Sequence, residues 1–250
     1  MSIVPSGTLR WLCVGISVAL AAGLPAARYY AGRRAREADS ETRAATLRTS
    51  IGILAWLALT GGLAGAGALD DFSSFPPPVM PVMFGGVALT LVLALSRFGK
   101  RLALDLPLAL LVGYQGFRIA VEIMLHRAGT EGVIGMQMTW SGLNFDVVSG
   151  LTGLGLGIWL ATRSDDQPPP RALLWAWNIL GLGLLVTIVS VAIMSIPGPL
   201  QRFDGPPNTW VGTLPFVWLP TLMVTAALFG HVLVARRLLH SAGGEGEGRA

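Results

Sequence analysis

Seven stretches of this chain are apolar over about the length that a helix needs to cross a lipid bilayer. A transmembrane helix takes roughly 20 mostly apolar residues. The stretches are residues 11–29, 51–69, 79–97, 102–126, 146–162, 172–195 and 214–235. Charged residues make up only 13% of the chain, whereas soluble domains carry about 25%. The sequence therefore predicts an all-α, polytopic transmembrane helix bundle with seven spans, since a single apolar segment satisfies its backbone in lipid only as a helix.

The first apolar stretch also has the features of a signal peptide. Arg10 is followed by WLCVGISVALAAGLPAA, and the small residues near Ala27 resemble a cleavage site. Cleavage there would leave six spans and would release an arginine-rich connection to the outer side of the membrane. That outcome opposes the distribution of positive charge along the chain, so we expect the first helix to be retained.

Basic residues are concentrated on alternate connections between the apolar stretches. On one side lie Arg28, Arg33, Arg34, Arg36, Arg43, Arg48, Arg97, Lys100, Arg101, Arg163, Arg171, Arg236, Arg237 and Arg249. The other side holds Arg10, Arg127 and Arg202. By the positive-inside rule the first side is cytoplasmic, which places the N-terminus outside and the C-terminus inside. The basic character thus reflects loop charges, and because no basic face carries stacking aromatic residues we expect no nucleic-acid partner.

The same pattern divides the chain into three parts. Residues 1–50 form an N-terminal transmembrane helix and a basic cytoplasmic linker. Residues 51–240 form a six-helix membrane core, and residues 241–250, SAGGEGEGRA, form a flexible cytoplasmic tail.

Two pairs of glycines have the spacing of close contacts between membrane helices. Gly61 and Gly65 lie four residues apart in the second stretch, and Gly153 and Gly157 lie four residues apart in the fifth. Small residues at this spacing let helix backbones approach where lipid removes the hydrophobic drive for association. We therefore expect both pairs to form packing faces.

A polar stripe interrupts the fourth stretch, within GYQGFRIAVEIMLH (113–126). At 100° per residue, Gln115, Arg118, Glu122 and His126 fall within an arc of about 80° and extend over about 16 Å. An arginine in the membrane costs several kcal/mol unless it is paired or faces water. The stripe is therefore expected to face other helices or a cavity.

Two interpretations of this stripe stay open. Glu122 lies one helical turn from Arg118, so the two can form a structural ion pair that fixes this helix to its neighbours. Alternatively, the stripe lines a pocket in which Arg118 binds an anionic or carbonyl-bearing group and Glu122 or His126 handles a proton. Ionisable residues inside a membrane commonly have such functions.

Asn144 and Asp146 stand at the start of the fifth stretch. Either side chain can cap the first amide groups of the helix. In the other interpretation they form the rim of a polar vestibule at the outer end of the stripe, joined by Arg202, Asp204 and Asn208 of the last outer loop. The candidate ligand-binding residues are Gln115, Arg118, Glu122, His126, Asn144 and Asp146.

The sequence contains no evident set of ligands for a metal or a bound cofactor. Cys13 is the single cysteine, which excludes zinc and iron–sulfur sites built from several cysteines. His126 and His231 are predicted near opposite membrane surfaces and so cannot share a metal ion. Lys100, the only lysine, lies on a connection, so no retinal Schiff base can form within the bundle. We expect no cofactor and no metal.

His231 itself has two interpretations. Its position near the predicted inner end of the last span favours an interfacial residue close to Arg236. The alternative places its imidazole beside Asp105 or Asn178, where a neighbouring polar group would adjust its protonation.

Three longer stretches carry a resemblance. They are DDFSSFPPPVMP (70–81), GYQGFRIAVEIML…MQMTWSGLNFDVVSGLTG (113–153) and FDGPPNTWVGTLPFVWLPTLMVTAALFGHVLVARRL (203–238). They resemble an uncharacterised family of bacterial polytopic integral membrane proteins over about residues 51–240. The resemblance implies a helical domain in the bacterial cytoplasmic membrane, and because the family has no assigned activity it gives no residue a role. Ala120 stands where the family tends to have proline, which implies a straighter fourth helix.

No Walker, GxSxG or HExxH motif is present, so an enzyme is left open and a binding protein is favoured. We expect the chain to bind, and to transport or sense, a small polar or anionic solute through an outer-facing pocket on the fourth helix. One alternative is a membrane enzyme acting on a lipid or quinone, with Glu122 or His126 as general acid or base. Another is a structural or accessory subunit that contacts a partner membrane protein. In each case the lipid bilayer is the surrounding partner.

Overall fold

The computed structural model describes residues 4–163 and 170–247, and within these ranges the chain folds into helices without any strand. The helices are α1 (Gly7–Arg34), α2 (Asp39–Gly65), α3 (Val79–Leu95), α4 (Arg97–Asp105), α5 (Leu108–Gly113), α6 (Phe117–Thr130), α7 (Val147–Ala161), α8 (Arg171–Met194) and α9 (Val224–Glu247). A 3₁₀ turn, Tyr114–Gly116, joins α5 to α6, and a π-helical turn, Leu219–Met223, precedes α9. The all-α prediction is confirmed.

Several helices have the length and composition of membrane spans. Within the described residues five qualify: Gly7–Arg34, Asp39–Gly65, Leu108–Thr130, Arg171–Met194 and Leu219–His240. A sixth span is formed if α3 and α4, which meet at a 63° bend, count as one. The prediction of seven spans is thus confirmed in part, because α7 is apolar but has only 15 residues, fewer than the roughly 20 of a full span.

The bend between α3 and α4 shifts the predicted third and fourth spans. Ser96 ends α3 and caps α4, since its Oγ accepts a hydrogen bond from the Phe98 amide at 3.1 Å. A Cβ on Gly99 would lie 2.1 Å from the Ala94 carbonyl oxygen, so only glycine fits this tight turn. α4 carries charge on one face and buries Leu102 on the other, which suits an interfacial helix. The long apolar helix begins only at Leu108, beyond α4.

α1 packs into the core of the bundle. Leu9 and Cys13 are fully buried in the cluster that also contains residues of α6 and the segment before α9. The Cys13 Sγ lies 3.4 Å from the Pro215 carbonyl oxygen. At the start of α1, the Ser6 hydroxyl donates to Glu131 Oε1 at 2.7 Å, just after the end of α6.

The glycines of α7 allow its closest contact with the α5–α6 run. A Cβ on Gly157 would lie 2.4 Å from the Gly113 Cα, and one on Gly153 would lie 3.1 Å from the Gln115 Cβ. The predicted packing face at Gly153 and Gly157 is therefore confirmed. On α2, Gly61 packs against Trp218, but Gly65 faces open space, so the second predicted pair is only half right.

The connection between α1 and α2 is clamped by charge. The Arg28 Nη2 donates to Glu37 Oε2 at 2.8 Å, and Arg101 of α4 forms an ion pair with the other oxygen of the same carboxylate. Burial alone would raise the pKa of Glu37, but the hydrogen bonds and positive charges of Arg28 and Arg101 hold that pKa below its usual value. The clamp ties α1, α2 and α4 together at this end of the bundle.

This clamp should make stability depend on pH at acidic values. A carboxylate whose pKa is lowered by folding stabilises the protein at neutral pH, and that contribution is lost as pH falls through the lowered pKa. We expect Glu37→Gln to reduce Tm at neutral pH by about 2–4 °C, the effect of about 1 kcal/mol in a chain of this size. Below about pH 4, where the unfolded carboxyl is also protonated, the difference from the wild type should shrink.

Melting curves in detergent across this pH range test the clamp. Glu41→Gln is the matched control, because Glu41 is exposed on the first turn of α2. If both variants shift Tm equally, the effect of Glu37→Gln comes from general surface charge and the clamp contributes nothing.

The last helix extends into the predicted flexible tail. α9 continues through Glu247, which includes most of residues 241–250. Residues 248–250, and with them the predicted cytoplasmic Arg249, lie outside the described residues. So does the 164–169 part of the connection between α7 and α8.

Candidate functional site

Arg118 lies at the start of α6 and is 2% exposed. Its guanidinium donates two hydrogen bonds to Asp146, the residue before α7. The Nε donates to Oδ2 at 2.6 Å, and the Nη2 donates to Oδ1. The Arg118 Nη1 lies 2.9 Å from His231 Nε2 of α9, and Nη2 also points to the Gly181 carbonyl oxygen of α8 at 3.4 Å. One side chain therefore joins four helices, and its fork geometry matches the carboxylate.

His231 extends this set of bonds to α8. It is fully buried, and its Nδ1 lies 2.9 Å from the Asn178 Oδ1. Because an amide oxygen can only accept, Nδ1 carries the proton, and the unprotonated Nε2 accepts from Arg118. A Cβ at position 181 would lie 2.4 Å from the imidazole Cε1, so Gly181 provides the space that the ring occupies.

Glu122 and Asn144 form the second half of the site. The Asn144 Nδ2 donates to both Glu122 oxygens, at 2.8 and 2.7 Å, and to the Met138 carbonyl oxygen at 3.1 Å. The Asn144 Oδ1 accepts from the Asp146 amide at 3.1 Å. Since Asp146 is bound to Arg118, a chain of polar contacts runs from Glu122 to Asn178. We call Glu122, Asn144, Asp146, Arg118, His231 and Asn178 the polar network.

Gln115 lies beside this network within the 3₁₀ turn. Its Nε2 donates to the Ala227 carbonyl oxygen at 3.0 Å, while its Oε1 is buried without a hydrogen-bond partner. The adjacent Tyr114 hydroxyl donates to the Ala226 carbonyl oxygen at 2.5 Å. The turn thus docks on α9 through two polar side chains that bind consecutive carbonyls.

His126, the last residue of the predicted stripe, does not join the network. Its imidazole stacks on Trp140 with the ring centres 4.1 Å apart, and the side chain is partly exposed. The exposed Arg202 binds carbonyls of its own loop, and Asp204 is also exposed, so neither reaches the polar network. Asn208 is buried and donates to the Ala192 carbonyl oxygen at 3.1 Å.

Three sequence-based interpretations need correction. Arg118 does not pair with Glu122 one turn away, because the Asp146 carboxylate fits the guanidinium fork and Asn144 takes Glu122. His231 is fully buried and lies beside Asn178, as the alternative interpretation predicted, instead of beside Arg236. Neither Asn144 nor Asp146 caps α7 in the usual way, since no side-chain cap bond is present at its N-terminus.

Asn178 and His231 were the residues missing from the predicted site. Both are polar side chains in the middle of strongly apolar helices, and such residues usually face a polar partner inside the bundle. That signal was present in the sequence. The sequence did not show how far along its helix each residue lies from the others in the bundle. The predicted last span ended near His231, whereas α9 continues well beyond it.

A cavity of about 80 Å³ borders the polar network. Its walls come mainly from α3, α6, α8 and the region around the π-helical turn, and its polar lining consists of Arg118, Glu122, Asp146 and Asn208. The cavity surface is almost entirely apolar, and its volume exceeds the roughly 10–15 Å³ that one water molecule needs by the same measure, so it has room for one small molecule. In the described residues no three acidic, histidine or cysteine side chains are grouped to hold a metal ion.

Comparison of the chain with protein-family models, with curated proteins and with solved structures gave no match.

Proposed function

We propose that this chain is a multi-pass protein of the bacterial cytoplasmic membrane that binds a small polar solute beside its polar network, with Glu122 as the proton-binding group of the site. Binding coupled to a proton would serve either transport or sensing of the solute. The N-terminus is outside and the cytoplasmic side carries most of the arginines, in line with the positive-inside rule.

The observation that carries the proposal is the position of Glu122. The side chain is 1% exposed, and within the described residues no cationic nitrogen lies within 4.0 Å of its carboxylate. Both oxygens accept from the same neutral amide of Asn144. A buried carboxylate without a counter-ion is costly, so Glu122 is expected to hold a proton in this structure.

The charged groups around Glu122 do not neutralise its carboxylate. Arg118 is one turn away on the same helix, but its positive charge is already matched by Asp146. His231 faces Arg118 with its unprotonated nitrogen and adds no charge. The pair and the neutral imidazole therefore leave Glu122 as the one acidic group of the polar network without an opposite charge.

The cavity supplies the place for a solute. Nearly all of its surface is apolar, so a molecule there would pack mainly against apolar side chains, with Glu122 and Asn208 as polar neighbours. Arg118 is less suited to be the main anchor, because most of its N–H groups already bind Asp146, His231 and Gly181. The solute is therefore expected to interact with Glu122 and to affect its proton.

A second candidate is a structural or accessory subunit. The many hydrogen bonds of Arg118 favour this candidate. A buried cluster whose charged groups are paired can have the sole role of fixing helices in place. In that case Glu122 would be one more packing contact. The two candidates differ in whether Glu122 gains and loses a proton in the folded protein.

Infrared difference spectra of the reconstituted protein, recorded between mildly acidic and mildly alkaline buffer, test for that proton. We expect a carboxyl band that is absent in Glu122→Gln, while the variant keeps the wild-type Tm because glutamine has the shape of the protonated acid. Glu122→Ala should lose about 1–3 kcal/mol of stability, since the Asn144 amide loses its partner. The band should persist in Glu131→Gln, which changes a carboxyl outside the network.

Solute coupling is tested with acetate, glycine and inorganic phosphate as probes. Addition of a bound probe should shift the pH at which the Glu122 band appears, and Glu122→Gln should abolish the response. If the band is the same in wild type and Glu122→Gln, Glu122 does not titrate and the structural candidate is supported instead.

A further inference from the structure

A second, much larger cleft lies on the other side of the α5–α6 run. Its volume is about 1290 Å³, and its walls come from α1, α2, α3, α4, the α5–α6 run and α9. The walls are mostly Leu, Ala, Ile and Phe side chains, with Trp56 and Tyr114 among them. Empty apolar space of this size would forfeit the dispersion contacts of its whole lining, so the cleft needs an apolar occupant.

The cleft lies between the α1–α2 hairpin and the bundle, which are joined near both of its ends. At one end the Trp56 indole donates to the Thr221 carbonyl oxygen at 3.0 Å, and the Trp218 indole donates to the Leu57 carbonyl oxygen at 3.3 Å. At the other end, Arg101 of α4 pairs with Glu37 in the α1–α2 connection. Between these attachments, the cleft separates parts of α1 and α2 from the bundle.

Positive charge is confined to one end of this cleft. Four arginines line it, namely Arg28, Arg48, Arg97 and Arg101, and no acidic residue does. They come from the C-terminal part of α1, the first half of α2 and the start of α4, and two of them, Arg28 and Arg101, bind Glu37. The cleft thus has an apolar body and a cationic mouth.

Two of these arginines have donor groups left over. Arg28 is 4% exposed, and although its Nη2 binds Glu37, its Nη1 is buried without a hydrogen-bond partner. Arg48 binds only a carbonyl of its own helix, Ala44, through Nε. The Arg28 Nη1 lies beside Gly32 and Thr42, outside the cleft lining, whereas the remaining N–H groups of the exposed Arg48 are available to an anionic oxygen in the mouth.

We propose that the cleft is a binding site for an anionic phospholipid, with the acyl chains along the apolar walls and the phosphate at Arg48 and Arg97. A soluble anion would satisfy the arginines but leave the apolar walls empty. A zwitterionic lipid would fill the walls but bring no net negative charge to the mouth. Basic pockets between membrane helices hold anionic headgroups by this combination.

The test is lipid retention by the full-length protein. Protein in nanodiscs with equal amounts of phosphatidylglycerol and phosphatidylcholine is extracted into mild detergent, and bound lipids are counted by native mass spectrometry. We expect the wild type to retain phosphatidylglycerol in excess. Arg48→Gln and Arg97→Gln should each reduce that excess about fivefold, as expected for loss of one cationic contact with an anionic lipid. Arg10→Gln, at the other end of α1, should leave it unchanged.

A second pair of variants tests the apolar body of the cleft. Gly52 lines the cleft, and a Cβ there meets no atom within 4 Å, so Gly52→Leu places a side chain in the lipid's space without disturbing the protein. Gly62→Leu is the matched control: it is also on α2, also faces open space, and does not line the cleft. Retention of both lipids should fall in Gly52→Leu and remain in Gly62→Leu.

Each outcome decides the question. Equal retention of the two lipids by the wild type, or an unchanged excess in Arg48→Gln and Arg97→Gln, overturns the proposal. So does a wild-type protein that carries no lipid and forms a dimer, since a second copy would then cover the α1–α2 side. The proposal stands independently of the polar network, and Glu122→Gln should retain phosphatidylglycerol as the wild type does.

Discussion

Arg118→Met is expected to lower the free energy of unfolding by about 3–5 kcal/mol, the usual effect of removing one partner from a buried ion pair. Asp146, 6% exposed, would keep its charge without a counter-ion, and His231 would lose the donor to its Nε2. The loss should be seen in unfolding by sodium dodecyl sulfate in bicelles, followed by circular dichroism.

Double variants identify the partner of Arg118. Arg118→Met combined with Asp146→Leu should recover most of the loss, because an apolar pair of similar volume leaves no buried charge. Arg118→Met combined with Glu122→Leu should recover little, because Asp146 stays unpaired. If the second combination is the one that rescues stability, the ion pair lies within α6 and the connection to α7 is wrong.

The second large effect is expected at Gly157. A leucine there would place its Cβ 2.4 Å from the Gly113 Cα and 2.9 Å from the Ala109 carbonyl oxygen, both of them backbone atoms that cannot rotate away. α7 would have to move off the α5–α6 run and pull Asp146 away from Arg118. We expect a loss of about 3 kcal/mol or more, the upper range for overpacking.

Gly155→Leu is the control for this prediction. Gly155 lies two residues away on the same helix, and a Cβ there meets nothing within 4 Å. Leucine is a better helix former than glycine, so this variant should unfold no more easily than the wild type. Equal destabilisation by both variants would mean that α7 is sensitive to leucine in general and that the contact with Gly113 has no special importance.

Hydropathy alone predicted most of the helices but not their breaks. The predicted stretches 79–97 and 172–195 end close to α3 and α8. The stretch 102–126 was wrong at its start because apolar content does not register the turns at Ser96 and Leu106, which separate α4 from α3 and from α5. A bend of this kind depends on local hydrogen bonds, which a window average does not resolve.

Four of the six candidate residues lie together in the structure, but the sequence did not predict the hydrogen bonds between them. Arg118, Glu122, Asn144 and Asp146 come together as one buried group. The local rule of pairing at four residues failed because it applies to isolated helices, whereas here the next helix offers a bidentate partner. Sequence spacing within one helix carries no information about which of two neighbouring groups will bind Arg118.

The contact between α1 and Pro215 also bears on biogenesis. Cys13 and Pro215 are 202 residues apart, so at translation rates of about 5–20 residues per second α1 emerges roughly 10–40 s before the segment that covers it. During that interval the face that carries Leu9 and Cys13 can pack against α6, which emerges earlier, but it lacks its partners from the segment before α9. Lipid or an insertase must cover that part of the face until the C-terminal third is complete.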